Sequence, residues 1–413
     1  MEGTNEIKKV EKVSRDRRVR AYPYPFKAWV ALSSDPDNTT IADWKELDQV
    51  IWKELGLPFA DSFFLRSFNQ NLPDQVSLER DPEILAAHPH DTIHTWGDHV
   101  WAGKRGFDRS DAVEGLETLR RLGAMPRVWV DHSMFMGNML HNHRYGAIPE
   151  FKDAAGYTYP NPVYSLDLVH EAGVRYLWDG TITPVLGQDR PLSLVANHRA
   201  RNSSLLRAMV SMSKHGVGQA TGSGSAFRAQ FPGNTAYRPH RFPDGRTLYV
   251  FQRYGKWPLA DIDGLGELLA PARMAELERT GGVCIVYTHL GKRPASRASD
   301  PHHVPDRTKD AFIHLKERWT AGGIALSSVS DLLDHLVIRD RIEVDERNST
   351  IRFVPDGIAF QKMGQAELAG RRFSFSSLSV PADALTLMGS NGPLAARLEE
   401  HGKNGFSLTF DRE

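Results

Sequence analysis

Two aspartates separated by one proline stand in the run Ser-Ser-Asp-Pro-Asp-Asn, at residues 33–38. Carboxylates at this spacing can divide the work of a hydrolytic site, because one can bind a cation while the other stays free as a base. The same run is typical of a turn that starts a helix. Asp35 and Asp37 are therefore candidates for catalysis and metal binding, with a structural turn as the alternative.

Four histidines and two aspartates fall within residues 88–99, and imidazole and carboxylate are usual ligands of zinc and similar divalent ions. His94 and Asp98 are four residues apart, so one helical turn would place both on one face. His94 and His99 are five residues apart, about 140° on a helix, and would converge only in a loop. The spacing favours Asp98 as the second ligand beside His94, with His99 as its rival.

Other polar and aromatic side chains are candidates for contact with a substrate. The run Trp-Val-Asp-His-Ser at 129–133 contains Asp131 and His132, and Asn138 follows it. An Asp-His pair at the end of a strand can orient a substrate or a metal ligand. Trp96 is the aromatic candidate, because an indole face can stack on a sugar ring, with plain core packing as the alternative.

His289 follows an apolar run and is the candidate general acid. A partly buried histidine that emerges at the end of a strand is suited to proton transfer near neutral pH, and a hydrogen-bonded core histidine is the alternative. His88 and His90 precede the predicted strand that ends at His94, and we expect them to be surface residues.

The composition excludes several classes of protein. The 413 residues include 51 Lys and Arg and 51 Asp and Glu, so the formal net charge is zero. Nucleic-acid and anionic-membrane binders normally carry a basic excess, and no apolar run approaches the ~18 residues of a membrane helix. The single cysteine, Cys284, excludes an intramolecular disulfide and a cysteine metal cluster. A globular protein without nucleic-acid partners or a membrane span is expected.

Residues 1–20 are charged throughout and contain no apolar core. This pattern predicts a mobile tail and argues against a secretory signal. Together with the absence of disulfide chemistry, it makes the cytoplasm the expected compartment.

Short apolar runs alternate with amphipathic helical stretches over most of the chain. The strand-like runs are Phe26–Leu32, Ser62–Leu65, Asp91–His94, Arg127–Val130, Val174–Trp178, Leu248–Gln252, Val283–Tyr287 and Ile324–Leu326. Strands that alternate with helices predict a mainly parallel sheet, and seven or eight such units predict an α/β fold closed into a (β/α) barrel over residues 21–340. The pattern loosens at about 180–246, which predicts a surface excursion. Residues 341–413 have the period-2 alternation of a small antiparallel β appendage.

The candidate side chains lie where predicted strands end. Asp35 and Asp37 follow the first strand, His94 ends the third, Asp131 follows the fourth and His289 follows the seventh. In α/β barrels the chemistry is carried by the loops at the carboxyl ends of the strands. The barrel that the alternation predicts would therefore bring these residues to one face.

An Asp-x-Asp after the first strand, a His-Thr-x-x-(Asp/His) loop after the third and a Thr-His after a late apolar strand resemble the polysaccharide deacetylases of the NodB-homology type. The resemblance covers roughly residues 25–335 in the same order. It implies a distorted (β/α) barrel that holds a divalent metal ion, most often zinc. The roles that it implies are general base for Asp35, metal ligand for Asp37 and His94, third ligand for Asp98 or its rival His99, and general acid for His289.

The sequence departs from the family in the middle of the barrel, where Val-Asp-His-Ser at 130–133 replaces the family's Arg-Pro-rich motif. No tether for the base is therefore evident. The resemblance implies a divergent, metal-dependent hydrolase that removes acetyl groups from N-acetylated sugars of a polysaccharide or surface glycan. The alternatives are a hydrolase of the same barrel that acts on another C–N or glycosidic bond, and a non-catalytic glycan-binding protein.

Overall fold

A computed structural model describes most of the chain. The described residues are 16, 18–67, 69, 72–97, 109–131, 165–190, 234–242, 244–256, 259–376, 378–402 and 405–412, with the backbone of 150–152 and 158–160. They divide into two compact units, of which one is Pro25–Leu333 and the other combines the described part of Met1–Tyr24 with that of Asp334–Glu413.

The unit Pro25–Leu333 is built on β-strands. Within its described residues they are β1 (Ala28–Ser34), β2 (Asp61–Phe63), β3 (His90–His94), β4 (Val128–Val130), β5 (Glu150–Lys152), β6 (Thr158–Pro160), β7 (Tyr176–Thr183), β8 (Tyr237–Arg241), β9 (Thr247–Tyr254), β10 (Val283–Thr288) and β11 (Ile324–Ser327).

Eight of these strands form a parallel sheet in the order β11-β1-β10-β9-β7-β4-β3-β2. Each of the eight corresponds to a predicted strand-like run, so that prediction is confirmed. β8 lies within the predicted surface excursion and pairs antiparallel with β9. β5 pairs antiparallel with β6.

The parallel sheet curls until its two ends approach each other. The hydroxyl of Ser62 on β2 donates a hydrogen bond to the carbonyl of Ser34 on β1. The amide of Ser330, just after β11, donates to the Asp91 carboxylate on β3 at 2.7 Å. A curled parallel sheet with these contacts is consistent with the α/β barrel expected from the alternation.

Helices follow most of the strands. In the described residues they are α1 (Ile41–Leu47), a π-helix (Asp48–Glu54), α2 (Ile84–Ala87), α3 (Arg109–Leu122), α4 (Leu166–Glu171), α5 (Ile262–Leu268), α6 (Pro271–Thr280), a 3₁₀ turn (Ala295–Arg297), α7 (Asp306–Thr320) and α8 (Val329–Arg339). None of the helices in the described part of the chain combines the length and apolar character needed to cross a membrane.

Two apolar cores hold the sheet against its helices. One joins alternate residues of β1 and β10, such as Val30 and Val286, to Leu265 of α5 and Phe312 of α7. The other joins β3, β4 and β7 to α3 and α4, and Trp129 is fully buried in it. Because both cores pack the strands tightly, the loops at the carboxyl ends start from fixed points.

The second unit consists of two small sheets. Its elements are β12 (Ile342–Asp345), β13 (Thr350–Phe353), α9 (Gln365–Leu368), β14 (Arg372–Phe375), a 3₁₀ turn (Ala382–Ala384), β15 (Thr386–Gly389), β16 (Gly392–Pro393), β17 (Arg397–Glu400) and β18 (Phe406–Thr409). The sheets are β12-β13-β15-β16 and β14-β18-β17.

Two features of this unit differ from the sequence expectations. β13 and β15 run parallel, whereas an antiparallel appendage was expected. Val19 belongs to the segment expected to be a mobile tail, yet it is buried and bridges to Phe375. A valine that packs in this way extends the ordered chain to the N-terminal side of residue 20.

Candidate active site

The paired aspartates occupy a tight turn between β1 and α1. The Thr39 amide donates to the Pro36 carbonyl at 3.1 Å, and Asn38 takes the left-handed conformation with φ 61°. A turn closed in this way fixes the directions of the two carboxylates. The segment is thus a turn that starts a helix, and it also holds the Asp35 and Asp37 side chains in fixed positions. A structural turn and a role in chemistry are therefore compatible interpretations.

His94 is the last residue of β3 and is fully buried. The edge of the Phe64 ring lies against it, with ring centroids 4.8 Å apart and planes at 84°. Its Nε2 is 3.6 Å from Oδ1 of Asp35. Asp35, Asp37 and His94, the first cluster, each offer a ligand atom within 4.8 Å of those of the other two. Strand ends far apart in sequence therefore converge at this point.

His289 follows β10 and faces the first cluster. Its Nε2 lies 3.8 Å from Oδ2 of Asp35 and 3.6 Å from Oδ2 of Asp37. Its Nδ1 is 2.9 Å from Oδ1 of Asp261, and the Tyr287 hydroxyl is 2.9 Å from Nε2. Since a carboxylate only accepts, Nδ1 carries a proton, and Nε2, which accepts from the Tyr287 hydroxyl in the neutral ring, is the atom that can exchange a proton with a reactant.

Arg253 on β9 is a site residue that the sequence analysis missed. Its Nη1 donates to Oδ1 of Asp35 at 2.6 Å, and both side chains are almost completely buried. The guanidinium also lies 3.8 Å above the Trp178 ring. Burial alone would raise the pKa of Asp35, but the charges of Arg253, His94 and His289 hold that pKa well below its usual range. Arg253 is thus the direct ion-pair partner of Asp35.

Lys292 is the second missed residue. Its Nζ lies 3.1 Å from Oδ2 of Asp37. Oδ2 of Asp37 thus lies near both the Lys292 ammonium and the His289 imidazole. Both carboxylates of the first cluster have a cationic neighbour, which lowers the net negative charge that an incoming ion would meet.

The first cluster offers a donor set that suits a divalent metal ion. Two carboxylates and one imidazole are ligands that zinc accepts, and the three side chains are largely buried. One ligand atom from each residue lies within 4.8 Å of those of the other two, so small side-chain adjustments would let all three contact one ion.

Several predicted site residues lie outside the described part of the chain. They are Asp98, His99, His132 and Asn138. Asp131 is described and is fully buried directly after β4, where its amide donates to the Trp178 carbonyl at 3.0 Å. The predictions for the third ligand and for most of the substrate contacts therefore stay predictions.

Trp96 packs inside the protein, although it was a candidate for sugar stacking. Only 1% of it is exposed. Its ring makes an edge contact with Trp129 at 5.1 Å, and its Nε1 donates to the Ser165 hydroxyl at 2.9 Å. An indole enclosed in this way has no face for a sugar, so Trp96 is reassigned to the core.

The expected surface position of His88 is also wrong. Its side chain is 1% exposed and lies at the amino-terminal end of the strands, beside His90. Asp61, His88 and His90, the second cluster, each offer a ligand atom within 4.8 Å of those of the other two.

Comparison with known proteins gives a weak structural similarity. The sequence matches no protein-family model and no curated protein. The structure is similar to that of 4-alpha-glucanotransferase from Thermococcus litoralis, with 11% sequence identity, a TM-score of 0.34, and coverage of 74% of this chain and 39% of that chain. The chain thus spans less than two thirds of that protein. At this TM-score the similarity carries no argument about fold or function.

Proposed function

We propose that this protein is a metal-dependent hydrolase that removes acetyl groups from N-acetylated sugars of a polysaccharide or surface glycan, on a distorted barrel of the NodB type. The observation that carries the proposal is the convergence of the first cluster with His289, whose Nε2 lies 3.6 Å from Asp37 and 3.8 Å from Asp35. Candidate metal ligands and a proton donor held close together are what amide hydrolysis needs.

On this proposal Asp37 and His94 hold a divalent ion such as zinc, and Asp98 or His99 completes the ligands. When bound, such an ion polarises the amide carbonyl and lowers the pKa of water. The chain's contribution is to fix the two ligands on separate strand ends, one in a hydrogen-bonded turn and one fully buried.

Asp35 acts as the base. Because Arg253 holds its pKa low, the carboxylate is ionised throughout the neutral range. A carboxylate of low pKa is a weak base, so the main effect of Asp35 is to orient the attacking water. Asp35 accepts the proton of that water only as the C–O bond forms.

His289 acts as the acid. Asp261 fixes the proton on Nδ1, so the proton that the ring gives to the sugar nitrogen as the C–N bond breaks comes from Nε2. The Tyr287 hydroxyl, 2.9 Å from Nε2, keeps the ring in this orientation. The products are acetate and the free amine.

One observation favours a second candidate, a non-catalytic glycan-binding protein. Arg253 and Lys292 already neutralise the two carboxylates of the first cluster by direct ion pairs. Such pairs can stabilise a folded strand end with no ion present, and aromatic and polar side chains can then bind a sugar without hydrolysis.

Acetate release from N-acetylated oligosaccharides tests the proposal, with cyclic amides as a second panel. We expect zinc-loaded protein to release acetate, and chelation to stop it. Asp35→Asn should keep the metal content and lower turnover by about 10²–10⁴-fold. The matched control is Asp383→Asn, an exposed aspartate of the other unit. Binding of oligosaccharide without acetate release, or full turnover by Asp35→Asn, would contradict the proposal.

A further inference from the structure

The second cluster lies at the end of the strands opposite to the first. We propose that Asp61, His88 and His90 form a separate binding site for a divalent metal ion such as zinc. Asp61 begins β2 and His90 begins β3, and the two residues are direct partners in the parallel pairing. His94 ends the same five-residue strand, so the two sites are about 13 Å apart along β3.

Hydrogen bonds define which ring nitrogens are open to an ion. Nδ1 of His88 lies 2.9 Å from Oδ1 of Asp48, and Nδ1 of His90 lies 2.8 Å from the His88 carbonyl oxygen. Both partners are acceptors, so both Nδ1 atoms carry the proton. In the neutral rings each Nε2 therefore holds a lone pair, which is the form that binds zinc.

The two Nε2 atoms are buried and have no hydrogen-bond partner among the described residues. The nearest charged atom to Nε2 of His88 is Oδ2 of Asp61, at 3.5 Å. Oδ1 of Asp61 accepts from the Ser62 amide at 2.8 Å, which leaves Oδ2 for the cluster. Three acceptors that face one another without a donor repel, and a cation removes the repulsion.

The surroundings hold His88 in a fixed orientation. The Trp52 ring stacks on it with centroids 3.6 Å apart and planes at 4°. Asp48, which accepts from Nδ1, is itself paired with Lys53 at 2.6 Å. Metal-bound histidines commonly donate their other nitrogen to a carboxylate in this way, which fixes the ring and raises its basicity.

The three supporting residues, Asp48, Trp52 and Lys53, all belong to the π-helix Asp48–Glu54. A π-helical turn is rare and is frequently found at functional sites. Here it brings a carboxylate and an indole to the same histidine. The site thus joins the π-helix to the starts of β2 and β3, and we assign it a structural role that is independent of the proposed hydrolysis.

Metal content measured by mass spectrometry tests this site in the full chain. Protein stripped with chelator is refilled with Zn²⁺ and dialysed. With the first cluster disabled by Asp37→Asn and His94→Gln, we expect one ion per chain to remain. Adding His90→Gln or Asp61→Asn should remove it, whereas His170→Gln, an exposed histidine on α4, should not.

Loss of all ions in the Asp37→Asn/His94→Gln protein overturns the second site, and so does an ion that survives His90→Gln. If the first cluster binds no ion, the result is different. The wild type would then hold one ion, and only substitutions in the second cluster would remove it.

A fluorescence measurement tests the second cluster without changing any of its three proposed ligands. Co²⁺ bound at Nε2 of His88 should quench the fluorescence of Trp52, which stacks on that ring. The quenching should be reduced in Trp52→Phe while the ion count stays the same, and the remainder should come from Trp44, whose ring centroid lies 5.3 Å from that of His88. If Co²⁺ saturates the Asp37→Asn/His94→Gln protein without quenching, or if ¹⁵N spectra find His88 doubly protonated under saturating metal, the proposal is overturned.

Discussion

Asp35 is kept ionised by three side chains that lie on or next to other strands of the sheet. Burial opposes ionisation, but Arg253 on β9, His94 on β3 and His289 after β10 together outweigh it. Arg253 has the largest favourable effect and donates at 2.6 Å. The ionised state of Asp35 therefore depends on correct assembly of the sheet and cannot be produced by the turn at residues 35–38 alone.

Arg253→Met should destabilise the protein in a pH-dependent way. It leaves Asp35 as a buried charge without its partner, which costs about 3–5 kcal/mol of unfolding free energy. The pKa of Asp35 is lowered in the native state, so the wild-type pair stabilises above the unfolded pKa of about 3.9 and loses that effect as the pH falls. Urea denaturation from pH 3 to pH 8 should give a difference that is large near neutrality and shrinks in acid.

The control for this prediction is Asp35→Asn, made alone and combined with Arg253→Met. In the Asn background the arginine substitution should cost much less, because no buried carboxylate remains to be compensated. An equal cost in both backgrounds, or a cost independent of pH, would mean that the ion pair is not the source of the effect.

Residue types at strand ends were predictable, whereas their partners were not. Asp35, Asp37, His94 and His289 stand out because ionisable residues follow apolar runs. Arg253 directly follows such a run in β9 and has no motif that distinguishes it from a surface arginine. Its role depends on which strand lies beside β10, and that neighbour is fixed by the order of the sheet.

At the scale of elements, the turn between β1 and α1 determines where Asp37 points. Asn38 has φ 61°, in the left-handed region where asparagine and glycine are tolerated best. Pro36 closes the turn by accepting from Thr39 at 3.1 Å. The turn therefore couples a local backbone preference to the geometry of the first cluster.

Asn38→Ala should lower the unfolding free energy by about 1 kcal/mol, because an alanine is strained in the left-handed region. It should also weaken zinc binding, since relaxation of the turn moves Asp37. Asn38→Gly is the matched control and should retain both properties, because glycine adopts this conformation freely. Calorimetric titration with zinc and urea denaturation measure the two effects. Equal behaviour of the two variants would contradict the role given to the turn.

The strands were predictable and the burial of residues next to them was not. All eight parallel strands were identified from apolar, β-branched runs. β8 was missed because Arg, Pro and His interrupt its sequence. Trp96 and His88 were placed at the surface or in a binding site because they adjoin polar residues, but tertiary packing encloses both.

At the scale of the whole molecule, metal binding should be visible in the stability of the native state. An ion that binds only the folded chain adds about 2.7 kcal/mol at a free concentration one hundred times its Kd. Zinc should therefore raise the Tm of the stripped protein, and chelator should reverse the rise. Asp37→Asn/His94→Gln should reduce the shift and leave the part due to the second cluster. A Tm that does not respond to zinc would contradict both sites.

The division of the chain was predicted near residue 340, and the structure places it between Leu333 and Asp334. The difference arises because α8 is continuous through this point, so no Pro-, Gly- or Ser-rich linker marks it. Neutral net charge and ordinary composition argued against some classes of protein but gave no information on this boundary. The parallel pairing of β13 with β15 is likewise a non-local contact that period-2 alternation does not encode.

The most direct measurement of the central claim is anomalous diffraction at the zinc edge from crystals grown at saturating zinc. The account predicts a peak about 2.0–2.2 Å from a carboxylate oxygen of Asp37 and a ring nitrogen of His94, with His289 facing it and Lys292 displaced from Asp37. A structure in which Lys292 keeps its contact with Asp37 and no peak lies beside His94 would contradict it.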